Sequence, residues 1–181
     1  MKVSEILPLL QSAFVELFGR DRILFDLGAQ GISEQSVTFR LGFYLQQRFE
    51  NHHVDCEYNR RGTTLKTDEY VDLEWMKPDV IVHTRKIKEQ NLVVIEAKKS
   101  GQWAAGWHDT EQKLKAFTRE PGNYEYRLGM AWKIQASQDP SKHEAIWFLG
   151  GNELCRTSVV DFIATVSKEF ESKLGRRINA N

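Results

Sequence analysis

Apolar positions recur at helical spacing from the start of the chain. Ile6, Leu7, Leu10, Phe14, Leu17 and Phe18 fall on one side of a helix over 4–18. Pro8 is compatible with it in the first turn, and Gly19 supplies a stop. A second helix is predicted from Ser33, a good N-cap, to about residue 51, carrying Val37, Leu41, Tyr44, Leu45 and Phe49. The pattern then turns to β-branched runs. A short strand is expected over 54–58. After Pro78 comes Asp79-Val80-Ile81-Val82-His83, and then Leu92-Val93-Val94-Ile95-Glu96-Ala97, apolar on both faces as a covered central strand would be. The charged connection over 85–90 is short enough for a hairpin. The polar stretch 59–77 reads as a long loop or an irregular hairpin arm. Further on, the pattern predicts a glycine- and tryptophan-containing loop over 101–107 and a helix over 109–119, ending before Pro121-Gly122. Strands are predicted over 126–134 and 144–149. A last helix starts near Ser158, where Ser158-x-x-Asp161 has the form of a capping box, with Val159, Phe162, Ile163, Val166 and Phe170 on one side. The order α-α-β-β-β-α-β-β-α gives an α/β fold with a mixed central β-sheet flanked by helices.

Composition narrows the class. The chain's 181 residues suit a single domain, 1–181, with 41% hydrophobic and 28% charged residues. No apolar window is long enough to span a membrane, and the N-terminus lacks the apolar block of a signal peptide. Two cysteines, Cys56 and Cys155, build no disulfide framework, so a reducing cytoplasm is the expected setting. Lys and Arg total 25 and Asp and Glu total 25, so the zero net charge argues against a protein that coats nucleic acid non-specifically.

Local chemistry qualifies that balance. Glu96 ends an apolar run, where an ionised carboxylate is rarely buried unless paired or metal-bound. Strand alternation puts Lys98 on its face, and Asp79 opens the neighbouring strand. Two acidic oxygens with a backbone carbonyl suit Mg²⁺, and a nearby lysine can orient a water and face developing negative charge. The bland alternative is a structural ion pair of Glu96 with Lys98. Neither GxGxxG nor a P-loop occurs, and His52, His53 and Cys56 match no standard zinc spacing.

The residues Pro78-Asp79, then Glu96-Ala97-Lys98 at the end of the next strand, resemble the PD-(D/E)XK nuclease superfamily. The likeness covers about 33–134, and the surrounding strings look like a subgroup of small bacterial and phage members. It implies a restriction-endonuclease-like αβββαβ core, here about 33–149, with an extra N-terminal helix and a C-terminal helix. It further implies a metal-dependent endodeoxyribonuclease leaving 5′-phosphate and 3′-hydroxyl ends. Asp79 and Glu96 would hold Mg²⁺, or Mn²⁺ in its place, with the Ala97 carbonyl. Glu34 would join directly or through water, and Lys98 would assist the attacking water. Glu34 also suits the first turn of a helix on electrostatic grounds alone.

Other residues carry weaker expectations. His83 and Arg85 share Asp79's face by alternation and could contact phosphate. Lys99, with Lys115, is a rim able to do the same. Asp109 and Lys113 are either an ordinary i,i+4 pair or support for the site. Trp103 and Trp107 could stack on bases. Acids collect at Asp68, Glu69, Asp72 and Glu74, and bases at Arg85, Lys86, Lys88, Lys98, Lys99, Lys113 and Lys115, so a chain of zero net charge can still present a positive face. The partner expected is nucleic acid, DNA first, with a homodimer or a targeting protein as further possibilities. A catalytically silent module on the same fold is the alternative.

Overall fold

Alternation along one central strand divides the apolar side chains into two layers. In the computed structural model, which describes residues 1–26, 31–58, 60–61, 64–65 and 76–165, that strand is β5, Val93–Lys99. Its Val93, Ile95 and Ala97 join a cluster built from the helices α1 (Val3–Arg20), α2 (Glu34–Arg48) and α4 (Val159–Thr165). Its Val94 faces the opposite way, into a smaller cluster with Leu114, Ala116 and Phe117 of α3 (Ser100–Thr118). The other strands are β1 (His53–Cys56), β4 (Val80–His83), β6 (Leu128–Ile134), β7 (Glu144–Leu149) and β8 (Asn152–Ser158). They form a six-stranded sheet in the order β1-β4-β5-β6-β7-β8. Only the β5–β6 pair is parallel, as the α3 crossover between them requires. The short β2 (Arg60–Arg61) and β3 (Thr64–Leu65) pair with each other. The architecture is therefore α/β, a mixed sheet between helical layers. No described helix is long and apolar enough to cross a membrane.

Packing explains where the elements differ from expectation. Pro8 lies in the second turn of α1, and the helix runs through Gly19 to Arg20. The burial of Ile6, Leu7, Leu10, Phe14 and Leu17, with Phe14 edge-on to Trp132 at 5.0 Å, outweighs one missing hydrogen bond. The predicted loop over 101–107 is helical and begins α3. Its Trp103 and Trp107, one turn apart, stack at 5.1 Å, and Trp107 also meets Phe148. Those contacts offset the helix cost of Gly101 and Gly106. The strand β8 is absent from the sequence expectation, because Asn152–Ser158 alternates only weakly. It forms because Gly150 and Gly151, at φ of 55° and 76°, make the tight turn that returns the chain antiparallel to β7. Ser158 caps α4 as expected, its Oγ accepting the Asp161 N–H at 3.0 Å. Most of 59–77, including the acids over 68–74, and Val166, Phe170, Arg176 and Arg177 fall outside the described residues.

Candidate functional site

The site begins where one strand outruns its neighbour. The β4–β5 register pairs Val80 with Ile95, Ile81 with Val94 and Val82 with Val93. Thus β4 ends while β5 continues to Lys99, and backbone groups on that edge of β5 lose their ladder partner. Two carboxylates replace it. The Ala97 N–H donates to Asp79 Oδ2 at 2.7 Å, and the Lys99 N–H donates to Glu34 Oε1 at 2.7 Å. Asp79 immediately precedes β4. Glu34 is set at the start of α2 by the Ser33 cap, whose Oγ accepts the Ser36 N–H at 3.2 Å. A strand residue's N–H and C=O point to the same edge, so the Ala97 carbonyl faces this edge as well.

Continuing the β4–β5 register by one residue sets Asp79 opposite Glu96, whose side chain enters the layer beneath α3. Glu96 is 1% exposed. Its Oε2 lies 3.6 Å from Lys113 Nζ, and its Oε1 is buried without a hydrogen-bond partner among the described residues. Burial, and then the negative charge of Asp79, push the Glu96 carboxyl up to about 8, against the opposing pull of Lys113 and Lys98. Burial also raises Asp79, against the Ala97 N–H, Lys98 and Lys113, while Glu34 adds to the rise. Lys98 is half-buried and makes no direct ion pair among the described residues. Gly106 of α3 faces its stem at ordinary contact distance. A Cβ there would stand 3.8 and 3.9 Å from Lys98 Cδ and Cε.

Each acid commits one oxygen to the protein. Asp79 uses Oδ2, Glu34 uses Oε1, and Glu96 offers Oε2 to Lys113. The remaining oxygens are hard donors of the kind Mg²⁺ or Mn²⁺ takes, and the orphaned Glu96 Oε1 is the atom such an ion would satisfy. Among the described residues no three His, Cys, Asp or Glu side chains are gathered closely enough to hold a metal ion as they stand. Glu34, Asp79 and Glu96 would have to draw together around one.

Several of the remaining candidate residues have partners of their own. His83 and Arg85 do not join Asp79. His83 ends β4, four residues or about 13 Å along the strand from Asp79, and Arg85 lies two residues further on. There Asp55 on β1 accepts from His83 Nε2 at 2.8 Å and from Arg85 Nε at 3.0 Å, while Arg85 Nη2 reaches its Oδ1. Burial would raise Asp55, but Arg85 and His83 outweigh it and hold it below its ordinary value. Asp55→Ala is therefore expected to cost about 1–3 kcal/mol of stability, read as a lower melting temperature, with no loss of activity per folded molecule. The i,i+4 pairing of Asp109 with Lys113 is not formed either. Asp109 is exposed on α3, and Lys113 turns inward to Glu96. Lys113, not Lys98, is thus the direct partner of Glu96. Lys99 meets Glu34 through its backbone N–H. Comparison with known protein families, curated proteins and solved structures finds no match to this chain.

Proposed function

We propose that the chain is a metal-dependent nuclease of the PD-(D/E)XK kind, an endodeoxyribonuclease first of all. The observation that carries this reading is the placement of Asp79 and Glu34 on the β5 backbone at Ala97 and Lys99, just beyond Glu96, with Lys98 on Glu96's face and one Glu96 oxygen left buried and unpaired among the described residues. With the separate β2–β3 hairpin set aside, the order α2, β1, β4, β5, α3, β6 supports it, because it follows the αβββαβ core that the sequence resemblance implies.

Asp79, Glu96 and the Ala97 carbonyl would hold Mg²⁺, with Glu34 joining directly or through water. The ion supplies Lewis-acid polarisation of the phosphate. The protein's own groups do the rest. Lys98 orients the attacking water, takes part in its proton transfer and faces the charge that grows on phosphate. Lys113 fixes the Glu96 carboxylate from α3 and limits its protonation. The N–H groups of Ala97 and Lys99 hold Asp79 and Glu34 in place. Cutting both strands of a duplex would take two such sites, hence a homodimer.

The test is cleavage by the purified chain of single- and double-stranded DNA and RNA with Mg²⁺ or Mn²⁺. Wild type should cut at least one form, and Asp79→Ala should not. One observation favours the rival reading of a silent module or a partner-directed subunit: the bonds from Asp79 and Glu34 to the β5 backbone are structural caps in their own right. Folded wild type that neither cuts any form nor binds Mg²⁺ or Mn²⁺ by calorimetry would establish that rival.

A further inference from the structure

Beside the proposed site, α3 and the last strands carry an aromatic and cationic strip. Trp103 and Trp107 stack at 5.1 Å with 27° between their planes, and both are half-buried. Lys133 Nζ lies 5.6 Å from the Trp103 ring centroid, and Arg156 Cζ lies 5.3 Å from that of Trp107. The strip is continuous with the site. In the parallel β5–β6 pair Lys133 is the register partner of Lys98. Glu96, Ala131, Ile146 and Arg156 fall on one row across β5, β6, β7 and β8, so Arg156 stands three strand spacings, about 14 Å, from Glu96. Gly106, between the two tryptophans in sequence, faces the Lys98 stem.

We propose that this strip holds a single nucleic-acid strand beside the phosphate placed at Asp79, Glu96 and Lys98. The assignment rests on the nuclease reading and names its substrate as nucleic acid with unpaired bases next to the cut. Flat apolar rings alternating with cations match a strand in which bases alternate with phosphates. A base stacks on an outer indole face. The long Lys133 or Arg156 side chain then swings from the ring to the adjoining phosphate. Their side chains are 27% and 50% exposed, so a phosphate can reach both from solvent and compete with their carboxylate partners. A paired duplex hides its base faces and gains nothing from the indoles. Glu144 and Glu153 partly neutralise the two cations, at 3.6 Å from Lys133 and 2.8 Å from Arg156. The strip is therefore weakly basic, and stacking carries more of the affinity than charge does.

The test is binding of fluorescein-labelled oligodeoxythymidylate, and of a blunt duplex, to the full chain in EDTA, with intrinsic tryptophan fluorescence read in parallel. Wild type should prefer the single strand, and the oligomer should shield the tryptophans from acrylamide. Trp103→Ala should weaken single-strand binding about tenfold and leave duplex binding unchanged. Arg156→Gln, on an exposed side chain, should weaken it less and flatten the salt dependence. If the tryptophan variant fails to fold, Arg156→Gln and the acrylamide measurement on wild type decide alone. Equal binding of strand and duplex, with no shielding and no effect of either variant, overturns the strip even if wild type cuts DNA with Mg²⁺. Strand-selective binding without any cleavage keeps the strip and overturns the nuclease reading instead. Binding of neither oligomer overturns it too, and leaves the strip to a protein partner.

Discussion

Replacing Lys98 with alanine is expected to lower metal-dependent cleavage by about 10²–10⁴-fold, the range for removing a positioned proton-transfer group. Lys98 is the uncommitted cation of the site. Lys113 is held by Glu96 at 3.6 Å, whereas Lys98 has no direct ion pair among the described residues and lies on Glu96's face of β5. Its loss removes no backbone cap, since Asp79 and Glu34 still accept from Ala97 and Lys99. The fold should survive and Mg²⁺ binding should persist. The fall should appear in kcat more than in KM, because in the proposed reaction Lys98 would act on the water and on charge that develops late. Lys113→Ala should behave differently. It strips the buried Glu96 of its nearest cation, so stability and metal affinity should change together with rate. Steady-state kinetics beside calorimetry separates the two. Lys98→Ala within about threefold of wild type would remove Lys98 from the chemistry.

How much of this was legible in sequence follows from what periodicity encodes. Alternation fixes the face of a strand residue, so Glu96 and Lys98 could be placed together, and the next strand brought Asp79 beside them. Ser33 marked the start of α2 and with it the position of Glu34. Alternation says nothing about distance along the strand. His83 and Arg85 share Asp79's face, yet they lie at the other end and belong to Asp55. Asp55 itself gave no signal, because its role exists only once β1 pairs with β4. Lys113 shows a second limit. Helical spacing offers Asp109 as its partner, but the way α3 lies on the sheet turns it toward Glu96. Trp103 and Trp107 show a third, since two glycines suggested a loop where mutual stacking makes a helix. The zero net charge also reads more narrowly. Local pairs such as Lys133 with Glu144 and Arg156 with Glu153 sit within that balance, while Lys98 makes no direct ion pair among the described residues.

Glu96→Gln should make the metal-free protein more stable while abolishing its cleavage. An unfolded glutamate titrates near its ordinary value, whereas Glu96 in the fold is pushed up to about 8 by burial and by Asp79. Below about pH 4.5 folded and unfolded chains both hold the proton, and the group contributes no pH dependence. Between there and about 8 only the folded chain holds it, so stability falls as pH rises through that window, and the loss is complete above it. Every tenfold gain in proton affinity on folding corresponds to about 1.4 kcal/mol, which makes the penalty at alkaline pH on the order of a few kcal/mol. Glutamine has the same shape and no charge to bury. Its carbonyl can keep the Lys113 contact. At pH 8 to 9 the variant should melt roughly 5–10 °C above wild type in EDTA, given the few degrees per kcal/mol expected at this chain length. Below about pH 4.5 the two curves should converge. His143, buried and held below its ordinary value chiefly by desolvation, adds an acid-side loss to both proteins and cancels in the difference. On the proposed function Mg²⁺ should reverse the order, because wild type would bind it and gain stability by mass action while the variant would lack a carboxylate ligand. A variant that melts below wild type at pH 8 to 9 in EDTA would show that Glu96 is held for the fold. Stability gained and activity lost in one substitution would mark it as a carboxylate buried for the metal.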